Sequence, residues 1–223
     1  MGYRLREGVL FCRVEGRVIM LDIRANRYFA HGDSAEKAFL GLFDPDGTAD
    51  RDEIAIAHLI DRDVLERHPD SSDRYSGPER LQTAPDWLLP GERPVSIWLV
   101  ARVILSLCRA SMDARLKSLA SIKRSLARRR STVIGDPSRR DYESYEAIAA
   151  AFERTEFLFS PADRCLPRSL AFVAVCNKVG LAPRLIFGVK TNPFVAHCWV
   201  QTDERILYDH SPEANLFTPI LAL

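Results

Sequence analysis

The sequence predicts an α+β protein in two blocks, a small β-then-helical block over residues 1–82 and a larger helix-then-strand block over 83–223. Three observations predict it. Alternating apolar runs before residue 30 give way to helical periodicity after Asp33. Prolines at 69, 78, 85, 90 and 94 gather between the blocks, where missing N–H donors and restricted neighbours disfavour regular structure. Charge is segmented, with residues 1–80 at net −4 and 102–140 at net +9 in a chain of net +1. With 47% hydrophobic and 27% charged residues among 223, the composition is that of a folded globular chain, not a disordered or collagen-like one. The near-neutral balance gives no ground for a nucleic-acid partner.

Each element follows from local pattern. Apolar runs at 9–14 and 18–23 flank a Glu15-Gly16 turn, and Arg27-Tyr28-Phe29 follows an Ala25-Asn26 turn, which reads as three antiparallel strands. Asp33 or Ser34 can cap a helix carrying Ala35, Ala38, Phe39 and Leu42, and Asp50 another carrying Ile54, Ala57, Leu59 and Ile60. The stretch 69–94 reads as linker, with the boundary near 82. Residues 97–109 read as a buried helix. Leu116, Leu119, Ile122 and Leu126 recur at helical spacing with Arg and Lys between them, a basic amphipathic helix over 112–130 ending in Arg128-Arg129-Arg130. Its basic side reads as a solvated face. A further helix spans 166–179, with Pro167 in the first turn and Gly180 at the C-terminal cap, followed by strands at 184–190, 196–201 and 205–209.

Five cysteines without CxxC spacing, and a start lacking the signal-peptide pattern, place the expected compartment in reducing cytoplasm. The most apolar stretch, 95–108, is interrupted by Arg102 and falls short of the roughly 20 residues of a membrane span, so none is expected.

Chemistry concentrates after residue 164. Cys165 stands at a helix N-terminus, where unpaired N–H groups and the partial positive charge of the helix end stabilise a thiolate. The hairpin 196–209 has a three-residue turn, Thr202-Asp203-Glu204, when Gln201 pairs with Arg205. That register sets Trp199 opposite Leu207 and His197 opposite Asp209, with Cβ atoms about 5 Å apart. A one-residue slip would send Asp209 to the other face. Cys165, His197 and Asp209 are therefore the candidate nucleophile, base and orienting acid of an acyl transfer at an amide, with the Cys165 N–H toward the oxyanion. No side-chain oxyanion donor is fixed by the pattern; Gln201 shares the His197 face. Cys12, Cys108, Cys176 and Cys198 read as small buried hydrophobes. His31, His58 and His68 lack partner spacing, His210 is the runner-up base and Asp203 a competing acid. A zinc site from Cys165, His197, Cys198 and His210 lacks a close ligand pair, and no metal or cofactor is expected.

Cys165-Leu166-Pro167-Arg168-Ser169-Leu170-Ala171, Gly180-Leu181-Ala182-Pro183, Phe187-Gly188-Val189, Ala196-His197-Cys198-Trp199-Val200 and Asp209 together resemble the transglutaminase-like leader peptidase of lasso-peptide biosynthesis, the B protein. The resemblance covers roughly 83–223, including Leu99-Val100-Ala101-Arg102, and implies a transglutaminase/papain-like cysteine peptidase domain. Residues 18–22, Tyr28-Phe29 and the helices after Ser34 are similar to the winged-helix-like peptide-recognition domain of the pyrroloquinoline-quinone D-type chaperone. That likeness implies a leader peptide added as a strand beside Arg27, Tyr28 and Phe29, near the helix carrying Ile56. The implied substrate is a precursor peptide, and the implied partner is an ATP-dependent, asparagine-synthetase-like lasso cyclase. Amide formation by a transglutaminase-like acyltransferase is the competing enzyme reading. A non-catalytic peptide-binding module or winged-helix DNA-binding regulator is the competing binding reading, and the acidic first block disfavours phosphate contact.

Overall fold

Two short turns organise the first thirty residues of the computed structural model, which describes residues 2–42, 52–68, 82–88, 94–131, 142–158, 165–209 and 213–223. Asp50, His210, the side chains of Arg129 and Arg130, and most of the proline-rich stretch lie outside these. By compactness the chain divides into Met1–Arg80 and Leu81–Leu223.

The first unit runs β1 (Gly2–Leu5), β2 (Val9–Val14), β3 (Arg17–Asp22), β4 (Arg27–Phe29), α1 (Asp33–Gly41), α2 (Glu53–Asp61) and β5 (Leu65–His68). Glu15 and Gly16 both take positive φ, 49° and 85°, the twist a two-residue hairpin turn needs, and glycine meets that demand without strain. Strands β2, β3 and β4 form an antiparallel sheet in that order, as the pattern predicts. β3 stops at Asp22 because its Oδ1 accepts from the N–H of Arg24 at 2.8 Å and of Ala25 at 3.0 Å, which bends the chain toward β4. The N-cap of α1 is Gly32 rather than Asp33 or Ser34, while Asp33 and Glu36 place negative charge in its first turn. Glu36 is buried and ties α1 to β3, accepting from Val18 N at 3.0 Å and Arg17 Nε at 3.1 Å. The cap of α2 is Asp52, whose carboxylate accepts from Ala55 N at 3.0 Å. Behind these elements Leu5, Val9, Phe11, Val18, Met20, Phe39, Leu59 and Leu65 form one core, with Phe11 and Phe39 edge to face at 4.9 Å. Pairing of β1 with β5 had no local signal, because it joins two four-residue segments some sixty positions apart.

The second unit adds β6 (Asp86–Trp87), α3 (Ile97–Leu116), α4 (Leu119–Ser131), α5 (Tyr142–Glu153), α6 (Cys165–Lys178), β7 (Arg184–Lys190), β8 (Val195–Gln201), β9 (Arg205–Tyr208) and β10 (Thr218–Ala222). Its five-stranded sheet has the order β10-β7-β8-β9-β6, antiparallel except where β6 lies parallel to β9. Helix α6 packs on β8 and α3 packs on α6. Leu170, Phe172, Val175 and Cys176 of α6 are buried on the α6 side of this sheet, while Trp199 and Ile206 pack in a separate cluster with Ala84, Ala214 and Phe217.

Three expectations are corrected here. Residues 82–88 are not linker: Gln201 binds both Gln82 O, at 2.9 Å from Nε2, and Ala84 N, at 3.3 Å to Oε1, which holds β6 against the sheet. Helix α3 is longer than 97–109 and buries one side only, through Val103, Leu107 and Ala110, while Trp98 and Leu105 are 80% and 57% exposed. The basic helix begins at Leu119 and not near 112, because the chain breaks at Lys117-Ser118; the Ser118 Oγ then accepts from Ser121 N at 3.4 Å, and Leu116 is left exposed. Strand β10 and helix α5 were not foreseen, although buried Tyr145, Ile148, Ala149 and Phe152 hold helical spacing. Among the described residues no helix is long and apolar enough to cross a membrane.

Gly188 on β7 lies opposite His197 on β8, and the Trp199 ring closes over it. A Cβ there would stand 2.7 Å from that ring and 3.0 Å from Phe217 Cβ. Gly188→Ala is therefore expected to lower stability by about 1–3 kcal/mol through overpacking, read as a fall in the thermal unfolding midpoint of roughly 2–4 °C per kcal/mol. An unchanged midpoint would mean that the fully buried Trp199 can move aside freely.

Candidate active site

Cys165 is the first residue of α6, so its sulfur sits at the positive end of a 14-residue helix, with Pro167 placed where its missing donor costs nothing. It is half-buried. His197 is the third residue of β8, its side chain 10% exposed. Its Nε2 lies 2.7 Å from Asp209 Oδ1, and the Asp209 side chain is fully covered. The other carboxylate oxygen, Oδ2, accepts from Ala214 N at 3.0 Å and Glu213 N at 3.3 Å, so backbone amides hold the acid in place. With Nε2 committed to Asp209, Nδ1 is the ring nitrogen left for the Cys165 sulfur, with which His197 is hydrogen-bonded. The structure thus brings Cys165, His197 and Asp209 together.

The register that achieves this differs from the expected one. Gln201 pairs with Ile206, not Arg205, and a bulge before it sets Val200 opposite Tyr208. Taken alone, the Gln201–Ile206 register would turn Asp209 to the wrong face. The extra bulge residue restores the parity, so Asp209 falls on the His197 and Trp199 face one step past the end of β9.

Electrostatics within the trio favour an ion pair. The Cys198 thiol hydrogen-bonded to Cys165 is the largest influence lowering that sulfur's pKa; burial opposes it, and the hydrogen bond and charge of His197 carry the value down to about 4. Burial disfavours the charged ring of His197, but hydrogen bonds to Asp209 and Cys165 and the charges of both raise it to about 9. Between those values the stable arrangement is thiolate beside imidazolium, a nucleophile already free of its proton with an acid poised next to it.

The surroundings contain residues that pattern reading missed. Arg168, one turn along α6 and 2% exposed, donates from Nε to Tyr208 Oη at 2.5 Å and from Nη2 to Phe152 O at 2.8 Å, which covers a carbonyl at the end of α5 and fixes the residue before Asp209. Tyr208 in turn stacks on Phe172 at 5.0 Å. The legible signal was the i, i+3 spacing from Cys165, but the partners come from two other elements. Gln201 is not an oxyanion donor: its Oε1 accepts from Trp199 Nε1 at 2.7 Å, and its remaining bonds hold the 82–84 segment. Trp199 flanks His197, with ring centroids 6.1 Å apart. Asp203 pairs with Arg184 at 3.2 Å in the turn and lies off the site. Among the described residues no group of three or more His, Cys, Asp or Glu side chains is arranged to hold a metal. Cys108 is exposed, against expectation, whereas Cys12, Cys176 and Cys198 are buried.

The residues expected to meet a peptide lie in the first unit. Arg27, Tyr28 and Phe29 form β4, the last strand of its sheet, with the Arg27 guanidinium over the Phe29 ring at 5.6 Å. Ile56 is 2% exposed and packs with Ala38 and Ala55, so it supports α2 from within and presents no surface; a large apolar side chain that the helix does expose is Ile54.

Residues 104–222, more than half of the chain, match the model of the Transglutaminase-like superfamily. No curated protein and no solved structure matches the chain.

Proposed function

Because this chain belongs to the transglutaminase-like superfamily, whose activities are those of cysteine proteases and acyltransferases, we propose that it is the leader peptidase of a lasso-peptide pathway. The Leu81–Leu223 unit cuts the precursor, and the Met1–Arg80 unit, on a winged-helix-like plan, holds the leader as a strand along β4. The observation that carries the peptidase reading is the Cys165–His197–Asp209 contact at the mouth of α6.

In this mechanism the Cys165 thiolate attacks the carbonyl joining leader to core. The developing oxyanion draws on the Cys165 N–H and the free donors of the first helical turn. Protonated His197 gives its Nδ1 proton to the leaving core amine, and the C–N bond breaks to leave the leader as a thioester on Cys165. Neutral His197, held in one tautomer by Asp209, then takes a proton from water as it attacks the thioester; leader acid and thiolate–imidazolium pair are regenerated. The freed core amine is what an ATP-dependent, asparagine-synthetase-like cyclase requires to close a macrolactam.

Mass spectrometry of products from a cognate precursor tests this directly. Hydrolysis yields a leader ending in a free carboxylate together with a core bearing a free amine. A leader–amine adduct would instead assign amide-forming acyl transfer. Leader binding with intact precursor would assign a non-catalytic module.

A further inference from the structure

The sheet position after His197 carries a second sulfur whose placement the triad does not explain. Cys198 is 2% exposed on β8, where it packs against α6. Alternation along the strand turns it away from the His197 ring and toward the helix that begins at Cys165. There it has two neighbours on α6, one turn apart: the Cys165 sulfur, which hydrogen-bonds its thiol and its backbone N–H, and Ser169, whose Oγ lies 4.0 Å from Cys198 Sγ. The Ser169 hydroxyl proton is already committed to Cys198 O at 3.4 Å. The Cys198 S–H therefore has two acceptors and a single proton to give.

We propose that Cys198 is a positioning residue whose buried thiol donates its proton to the Cys165 sulfur, holding that sulfur as a thiolate at the mouth of α6. The choice between acceptors follows from charge. A thiolate is a far better acceptor than a hydroxyl at the 4.0 Å limit of contact, because a hydrogen bond to an ionised partner is about twice as strong as a neutral one. When Cys165 is protonated, the Cys198 proton can rest toward Ser169 Oγ; when Cys165 is ionised, it turns to the charge. Burial makes the arrangement one-sided. Burial keeps water from the Cys198 sulfur, and ionising it would place a second negative charge beside Cys165 and Asp209, so the Cys198 thiol is pushed well above its usual range. Cys198 thus remains a donor over the whole range in which Cys165 is a nucleophile.

Other charged groups around the pair come from each packed element. His197 lies next to it on β8, Asp209 just beyond β9, and Arg168 on α6 is engaged with Tyr208 and the Phe152 carbonyl. Among the described residues none of these donates to the Cys165 sulfur except His197, so its donors, the His197 ring and the thiol and N–H of Cys198, come from neighbouring residues of one strand.

This inference rests on the peptidase reading for its purpose but not for its test. The full-length protein is alkylated with iodoacetamide across pH, and the rate at Cys165 is read by peptide mapping, with exposed Cys108 as the labelling control. Cys198→Val keeps the packing and removes the donor; Cys198→Ser keeps a donor. The Val variant is expected to raise the pH midpoint of Cys165 alkylation by about one unit or more, the scale of a lost hydrogen bond to a charged group. The Ser variant is expected to stay nearer wild type. Equal midpoints in wild type and Val variant, or equal shifts in both variants, would overturn the proposal, as would a wild-type midpoint near the ordinary thiol value. An unchanged midpoint in the Val variant alongside normal precursor cleavage by the wild type leaves the peptidase reading standing. A shifted midpoint in a protein that cleaves no precursor does the reverse.

Discussion

Cys165→Ala protein is expected to lose precursor cleavage by about 10⁴-fold or more, because it removes the sulfur on which the proposed acyl intermediate forms and residual positioning cannot replace it. The fold should survive. Cys165 is half-buried at the start of α6, and the helix is held by Leu170, Phe172, Val175 and Cys176 further along. Loss of activity with an unchanged unfolding midpoint is therefore the expected pair of results, measured by product mass spectrometry and by circular dichroism on heating. Cleavage persisting in this variant would remove the sulfur from the chemistry.

The second large effect concerns the acid. Asp209→Asn keeps shape and removes charge, and an amide can present its NH₂ to His197 Nε2, which favours the wrong tautomer. A loss of about 10²–10⁴-fold in kcat/KM is expected, on the scale of a mis-set general base. The pH profile adds a sign that a merely structural role would not produce. The proposed mechanism needs Cys165 deprotonated, hence an expected rise in activity through about 4, and His197 protonated, hence an expected fall through about 9. Since the hydrogen bond and charge of Asp209 are among the influences raising His197, Asp209→Asn should move the alkaline limb to lower pH. A scaled-down profile with both limbs unmoved would limit Asp209 to holding the Glu213–Ala214 amides.

The placement of Cys165 and His197 could be read from the chain because the signals for it are local. A cysteine two residues before a proline at the start of an apolar helix, and a histidine two residues before a buried tryptophan on a strand, need no distant information. Asp209 was identified through the face it occupies, yet by a register that does not exist; the expected three-residue turn and the actual turn plus bulge happen to share parity. What stayed hidden was whatever depends on contacts between elements. Cys198 resembles any buried cysteine until α6 is laid across it. Arg168 reads as a helix-surface cation until Tyr208 and the end of α5 close over it. Gln201 looked like a site residue because alternation fixes its face but not its partners, and Trp199 and residues 82–84 claim all of them. Helix α3 looked buried from apolarity alone, whereas only one side of it is covered.

The most direct measurement is the far-ultraviolet absorbance of the thiolate, titrated with pH in the wild type and subtracted from that of Cys165→Ser. A Cys165–His197 ion pair predicts a difference signal already present at neutral pH and lost on acidification through about 4. A difference signal that emerges only as pH climbs toward 9, the ordinary thiol value, would contradict it.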